Sequence, residues 1–160
     1  MTKIAVYAGS FDPITKGHLD IIKTGLRIFD KMIVGVAFNP EKKEFLPVDI
    51  RIELIKQSIK GLENIEVCSF DGLTVDFAKE HGAEFLLRGL RSSMDFEYEN
   101  QLALINLFLS KDIQTIFVPS KSEHSFISSS AVRELISYKK DLSQYVPDAV
   151  ANFLYKKFNY

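Results

Sequence analysis

The chain has 160 residues, 46% of them hydrophobic and 26% charged, a balance that describes an ordinary globular domain and excludes a disordered or fibrous protein. Its 20 Lys and Arg nearly cancel 21 Asp and Glu, so no global field draws in nucleic acid or an anionic membrane, and a phosphate ligand must be held locally. The one cysteine, Cys68, excludes an internal disulfide framework and a cysteine-rich zinc site.

The run from Met1 to Ala8 carries one lysine and stops at Gly9, too short for a secretory leader with its cleavage site. No segment approaches the roughly 20 apolar residues that cross a bilayer, so the expected address is the cytoplasm. In chain order, Ile4 to Ala8 reads as a buried strand, and Gly17 to Phe29 as a helix with Ile21, Ile22, Leu26 and Phe29 on one face. Met32 to Phe38 is the next strand. Pro47 opens a second helix, in which Val48, Ile52, Ile55 and Ile59 recur every three or four residues. Strand Ile65 to Phe70, a helix from Leu73 to His81 stopped by Gly82, and strand Glu84 to Leu87 follow. Met94 to Leu109 is the longest helix, aligning Tyr98, Leu102, Ile105 and Leu109; beyond strand Ile113 to Val118, two more helices start at Ser128 and Pro147. Parallel strands need crossovers of about a dozen residues, usually helical. The pattern therefore predicts an α/β fold, a Rossmann-like doubly wound parallel five-stranded sheet with helices on both faces, in a single domain 1–160 with C-terminal helices. Ligands of such sheets sit outside the carboxyl ends of the strands, where strand order reverses.

Two segments at such positions carry chemistry. Gly9-Ser10-Phe11-Asp12-Pro13-Ile14-Thr15-Lys16-Gly17-His18 runs from the first strand into the first helix. Its glycines allow close backbone approach, the helix start offers unpaired amides to an anion, and His18 is placed to donate to a phosphoryl oxygen. Neither a Walker A pattern nor GxGxxG is present, which removes the main support for ATPase and dehydrogenase readings. Phe126-Ile127-Ser128-Ser129-Ser130-Ala131-Val132-Arg133 is a second loop entering a helix; its hydroxyls can cap that helix or bind a nucleoside triphosphate.

Thr15-Lys16-Gly17-His18 resembles the T/HxGH signature of the nucleotidyltransferase superfamily, and Ile127 through Arg133 resembles its ISSTxxR partner. Within that superfamily, Tyr7 through Thr15, Arg88-Gly89-Leu90-Arg91, Asp95-Phe96-Glu97-Tyr98-Glu99 and Ser125 through Ser130 look like the phosphopantetheine adenylyltransferase family, in its order and spacing. Ala8 stands where that family commonly has proline, Ser10 where it has threonine, and His124 where a larger aromatic is frequent.

The resemblance implies transfer of the adenylyl group of ATP to 4'-phosphopantetheine in coenzyme A biosynthesis, with Mg2+ carried by ATP. It implies that His18 stabilises the transition state, with Ser10, Lys42 and Arg91 also catalytic. Ser10, Lys42, Thr74 and Arg88 would bind the acceptor. Ser10, Phe11, His18, Gly89, Leu90, Arg91, Glu99 and the run His124, Ser125, Phe126, Ile127, Ser128, Ser129, Ser130 would bind ATP. A homohexamer and feedback by coenzyme A are further implications. Without the resemblance, Lys42 in Glu41-Lys42-Lys43-Glu44 reads as solvated surface and Glu99 as an exposed helical carboxylate. Arg88 and Arg91, flanking Gly89 just after a buried strand, are harder to explain that way. His81 reads as a helix-end residue and Cys68 as core packing; Phe108, Phe153, Tyr155 and Phe158 read as packing or subunit contacts. Transfer to nicotinamide mononucleotide or to a sugar, glycerol or choline phosphate fits the same two motifs, and a non-catalytic nucleotide sensor fits the fold.

Overall fold

The computed structural model describes residues 1–39, 41 and 43–160. Five parallel strands alternate with helices: β1 (Ile4–Gly9), α1 (Lys16–Gly25), β2 (Lys31–Ala37), α2 (Val48–Ser58), β3 (Ile65–Phe70), α3 (Thr74–Glu80), β4 (Phe85–Leu90), α4 (Ser93–Leu109), β5 (Gln114–Pro119), α5 (Ser129–Ser137) and α6 (Asp148–Phe158). The strand order is β3-β2-β1-β4-β5, so the winding reverses between β1 and β4. Strand alternation divides the core in two. Ala5, Tyr7, Val34 and Val36 face one side with Ile21, Ile22, Leu54, Val132 and Val150, while Val6, Ala8 and Ile33 face the other with Phe70, Val75 and Phe77. The central strand β1 is thus covered on both faces, which is why its sequence is apolar without a break.

The reversal opens a crevice. β1 stays in register with β2 from Ile4 opposite Lys31 to Gly9 opposite Val36, but it pairs with β4 only through Ala5–Phe85 and Val6–Leu86. Beyond those pairs the two strands separate, and the gap forms at their carboxyl ends.

Two expectations need correction. β4 runs past Leu87 to Leu90, because Arg88, Gly89 and Leu90 continue the ladder opposite Phe117, Val118 and Pro119; Arg88 and Gly89 lie within the strand and only Arg91 follows it. α1 stops at Gly25, and residues 26–29 form tighter turns in which Arg27 N–H donates to Thr24 and Ile28 N–H to Gly25; Phe29 remains buried. α4 has no buried residue. Its stripe of Tyr98, Ile105 and Leu109 is exposed, together with Met94, Leu104 and Phe108.

Candidate active site

The turn after β1 is shaped around His18. Thr15 caps α1: its Oγ1 accepts from His18 N–H at 3.3 Å, and the Thr15 N–H donates to His18 Nδ1 at 3.1 Å, a reciprocal capping box. Nδ1 therefore acts as acceptor, and the neutral ring carries its proton on Nε2. Phe11, in a left-handed conformation with φ 48°, is buried and meets the His18 ring edge-on at 5.0 Å. A β-carbon at Gly9 would lie 3.3 Å from the Phe11 ring, so Gly9 lets this aromatic pack under the loop. A β-carbon at Gly89 would lie 2.8 Å from Ile21 Cγ1; its absence lets α1, and with it His18, close onto β4.

The second helix start is tied to the first. Ser128 caps α5 by accepting from Ala131 N–H at 3.1 Å. Ser129 Oγ donates to the Pro13 carbonyl at 2.8 Å. Arg133 reaches back, donating from Nη1 to the Asp12 carbonyl at 2.7 Å and from Nη2 to Ser130 Oγ at 3.0 Å. The two amide-rich ends border one cavity of about 310 Å3, lined by Ser10, Phe11, His18, Gly89, Arg91, Glu99, His124, Ile127, Ser128 and Ser129 among others.

Arg88 spans the gap where β1 and β4 part. Its Nη1 donates to the Ala8 carbonyl at 2.7 Å, while Nε and Nη2 grip Glu99 on α4 at 2.7 and 2.6 Å. Arg91 forms the equivalent fork with Asp95 through Nε at 2.9 Å and Nη2 at 3.3 Å. Arg88 and Glu99 also line a second cavity, of about 250 Å3, with Thr74, Leu102, Ala103 and Asn106. Thus Thr74 borders the neighbouring cavity rather than the first, while Leu90, Ser125, Phe126 and Ser130 border neither. Lys42 lies outside the described residues.

The charges are arranged to keep the imidazole neutral. Burial first, then the Arg91 and Arg88 guanidinium groups, pull the His18 pKa down to about 4. Burial opposes the charge on Arg88, but the Glu99 carboxylate outweighs it and holds the guanidinium ionised. The Arg91 fork keeps Asp95 below the usual carboxylate range. A neutral N–H donor between two fixed cations suits a site that receives an anion and stabilises more charge as it develops.

Sequence reasoning missed several participants. Tyr7 lines the cavity beneath His18, with ring centroids 6.3 Å apart. Asp20, buried on α1, holds His124 from a position 104 residues away, a pairing no local pattern announces. Asp95 had a local signal, since it falls four residues after Arg91 and three after the Ser92 cap. Of the residues set aside, His81 caps α3, with Nδ1 2.9 Å from the Phe77 carbonyl, and Cys68 Sγ lies 3.7 Å from its Nε2.

Known proteins resemble this chain in sequence and in fold. Residues 6–135 match the cytidylyltransferase-like family. A phosphopantetheine adenylyltransferase from Geotalea daltonii is 52% identical over 157 residues, covering 98% of each chain. The chain belongs to the phosphopantetheine adenylyltransferase family. A second member, from Lachnoclostridium phytofermentans, is 46% identical over 98% of this chain and 96% of its own. Among solved structures, a bifunctional NMN adenylyltransferase/ADP ribose pyrophosphatase from Francisella tularensis superposes with a TM-score of 0.78 at 16% identity, over all of this chain and 51% of that one. That last likeness shows the shared fold, and the first two place the chain within the family.

Proposed function

We propose that the chain transfers the adenylyl group of ATP to 4'-phosphopantetheine, giving dephospho-coenzyme A and pyrophosphate. The observation that carries this reading is the wall of Arg88 and Glu99 common to two cavities: one ends in two helix starts and a neutral imidazole, and to the other, which adjoins it, we assign the second substrate. The acceptor phosphate oxygen attacks the α-phosphorus of ATP, the bond from that phosphorus to the β-bridging oxygen breaks, and pyrophosphate leaves with the electron pair. No covalent enzyme intermediate is required; the protein positions two anions and stabilises charge. His18 donates from Nε2 to an oxygen of the α-phosphate, and the amides at the start of α5 receive the remaining phosphates. Arg91 completes the nucleotide side, and Arg88 with Lys42 serves the acceptor.

Magnesium enters with the nucleotide as substrate. The nearby carboxylates are already engaged: Asp12 by the Phe45 and Leu46 amides, Asp95 by Arg91, Glu99 by Arg88, Asp20 by His124. Phosphate oxygens and water are left to coordinate the ion. The apolar exposed residues of α4 support self-association as a homohexamer, with feedback by coenzyme A acting at the same cavities. No helix among the described residues is long and apolar enough to cross a membrane.

Pyrophosphate release by the purified chain with Mg·ATP or Mg·CTP, against 4'-phosphopantetheine, nicotinamide mononucleotide and glycerol phosphate, tests this reading. Release only with ATP and the pantetheine acceptor is expected. Release with another acceptor, or ATP binding with no release for any of them, contradicts it.

A further inference from the structure

Asp20 is one of the few buried charged side chains, and its partners come from one short segment. On α1, Gly17 and Asp20 are three residues apart and share a helix face. A β-carbon at Gly17 would lie 3.7 Å from the His124 carbonyl, and the Asp20 carboxylate takes a hydrogen bond from His124 Nδ1. Lys121 Nζ stands 3.3 Å from the other Asp20 oxygen. The turn of residues 121–125 is thus seated on this face of α1 by both its backbone and its side chains. His124 also lines the cavity that holds His18, while Asp20 does not.

We propose that Asp20 is a positioning residue for the nucleotide: it fixes His124 and the turn that leads into Ile127 and Ser128, and so sets that wall of the cavity against His18. The claim rests on the adenylyl-transfer reading for its substrate. The bond dictates the imidazole's state as well. Because Nδ1 donates to the carboxylate, Nε2 is the nitrogen left to meet a ligand. Lys121 is largely exposed and contributes less than His124, since its charge is screened by water. The energetic asymmetry is that of a charged hydrogen bond broken on one side, which leaves the other partner unpaired and mobile.

The test measures the ATP dissociation constant by calorimetry, together with kcat and both Michaelis constants from pyrophosphate release, for the wild type, Asp20→Ala, Asp20→Asn, His124→Ala and the double variant Asp20→Ala/His124→Ala. Asp20→Ala is expected to weaken ATP binding on the order of tenfold, with kcat and the acceptor KM changed less than about twofold. Asp20→Asn keeps an oxygen that accepts from Nδ1 and recovers most of the affinity. The double variant is no weaker than either single one, because both remove the same contact. Equal shifts in the two Michaelis constants, or single effects that multiply in the double variant, would overturn the proposal. If Asp20→Ala does not fold, unchanged ATP affinity in His124→Ala overturns it instead. A wild-type chain that binds ATP but releases no pyrophosphate refutes the proposed function and leaves the calorimetric comparison to judge Asp20.

Discussion

At the scale of single residues, the site works by denying one side chain its usual charge. His18 receives a backbone N–H on Nδ1, and burial first, then the Arg91 and Arg88 guanidinium groups, pull its pKa down to about 4. A proton bound to the folded state is thus held less tightly than in an exposed histidine, and the ring stays neutral through the physiological range. Nitrogen NMR of the free protein should show His18 as the Nε2–H tautomer, unchanged between about pH 5.5 and 8; a titration near 6.5 would contradict the assignment. Arg88 carries a different burden, since its side chain replaces the ladder bonds that β1 and β4 lack beyond Val6 and Leu86. Arg88→Ala leaves Glu99 unpaired, and steady-state kinetics should show a raised acceptor KM with a smaller change for ATP; equal changes for both substrates would remove Arg88 from the acceptor side. Arg88→Lys should behave much like the alanine variant, because a single ammonium cannot grip a carboxylate and a carbonyl in one fork.

At the scale of elements, the site is two helix starts held at a fixed distance. α1 packs closely on β4, where Ile21 fills the space that a side chain at Gly89 would need. Gly89→Ala should push α1 outward, costing about 1–3 kcal/mol by overpacking and lowering turnover as His18 moves; denaturant melts and kcat on the same preparation check it, and a variant of unchanged stability would show that the contact is soft. These elements also show what a sequence discloses. The turn after β1 and the start of α5 were legible because glycines, a capping threonine and serines mark helix starts locally. The end of β4 was not: an arginine reads as a strand's end, and only its partners Glu99 and Ala8 explain how it stays inside. Asp20 was not legible either, since its meaning depends on His124, which tertiary structure alone brings to it. The stripe on α4 was visible as apolar, but apolar periodicity is the same whether a helix faces its own core or another chain.

At the scale of the whole molecule, that stripe is the largest departure from a self-contained fold. α4 presents Met94, Leu104, Ile105 and Phe108 outward, Phe108 with 87% of its surface exposed, beside a helix face that carries Glu99 into the site. Exposed apolar surface of this extent marks an interaction face. The proposed self-association through this face predicts that Leu104→Glu with Phe108→Glu reduces the mass seen by light scattering and lowers activity through Glu99; an unchanged mass would contradict assembly through α4. The account as a whole rests on one imidazole and two helix starts acting on a single triphosphate. Its most direct test is His18→Ala, with turnover followed by pyrophosphate release and ATP affinity by calorimetry. The account predicts a kcat lowered by on the order of 100-fold, as for loss of an oxyanion donor, with ATP affinity nearly unchanged. A variant that turns over at the wild-type rate would contradict it.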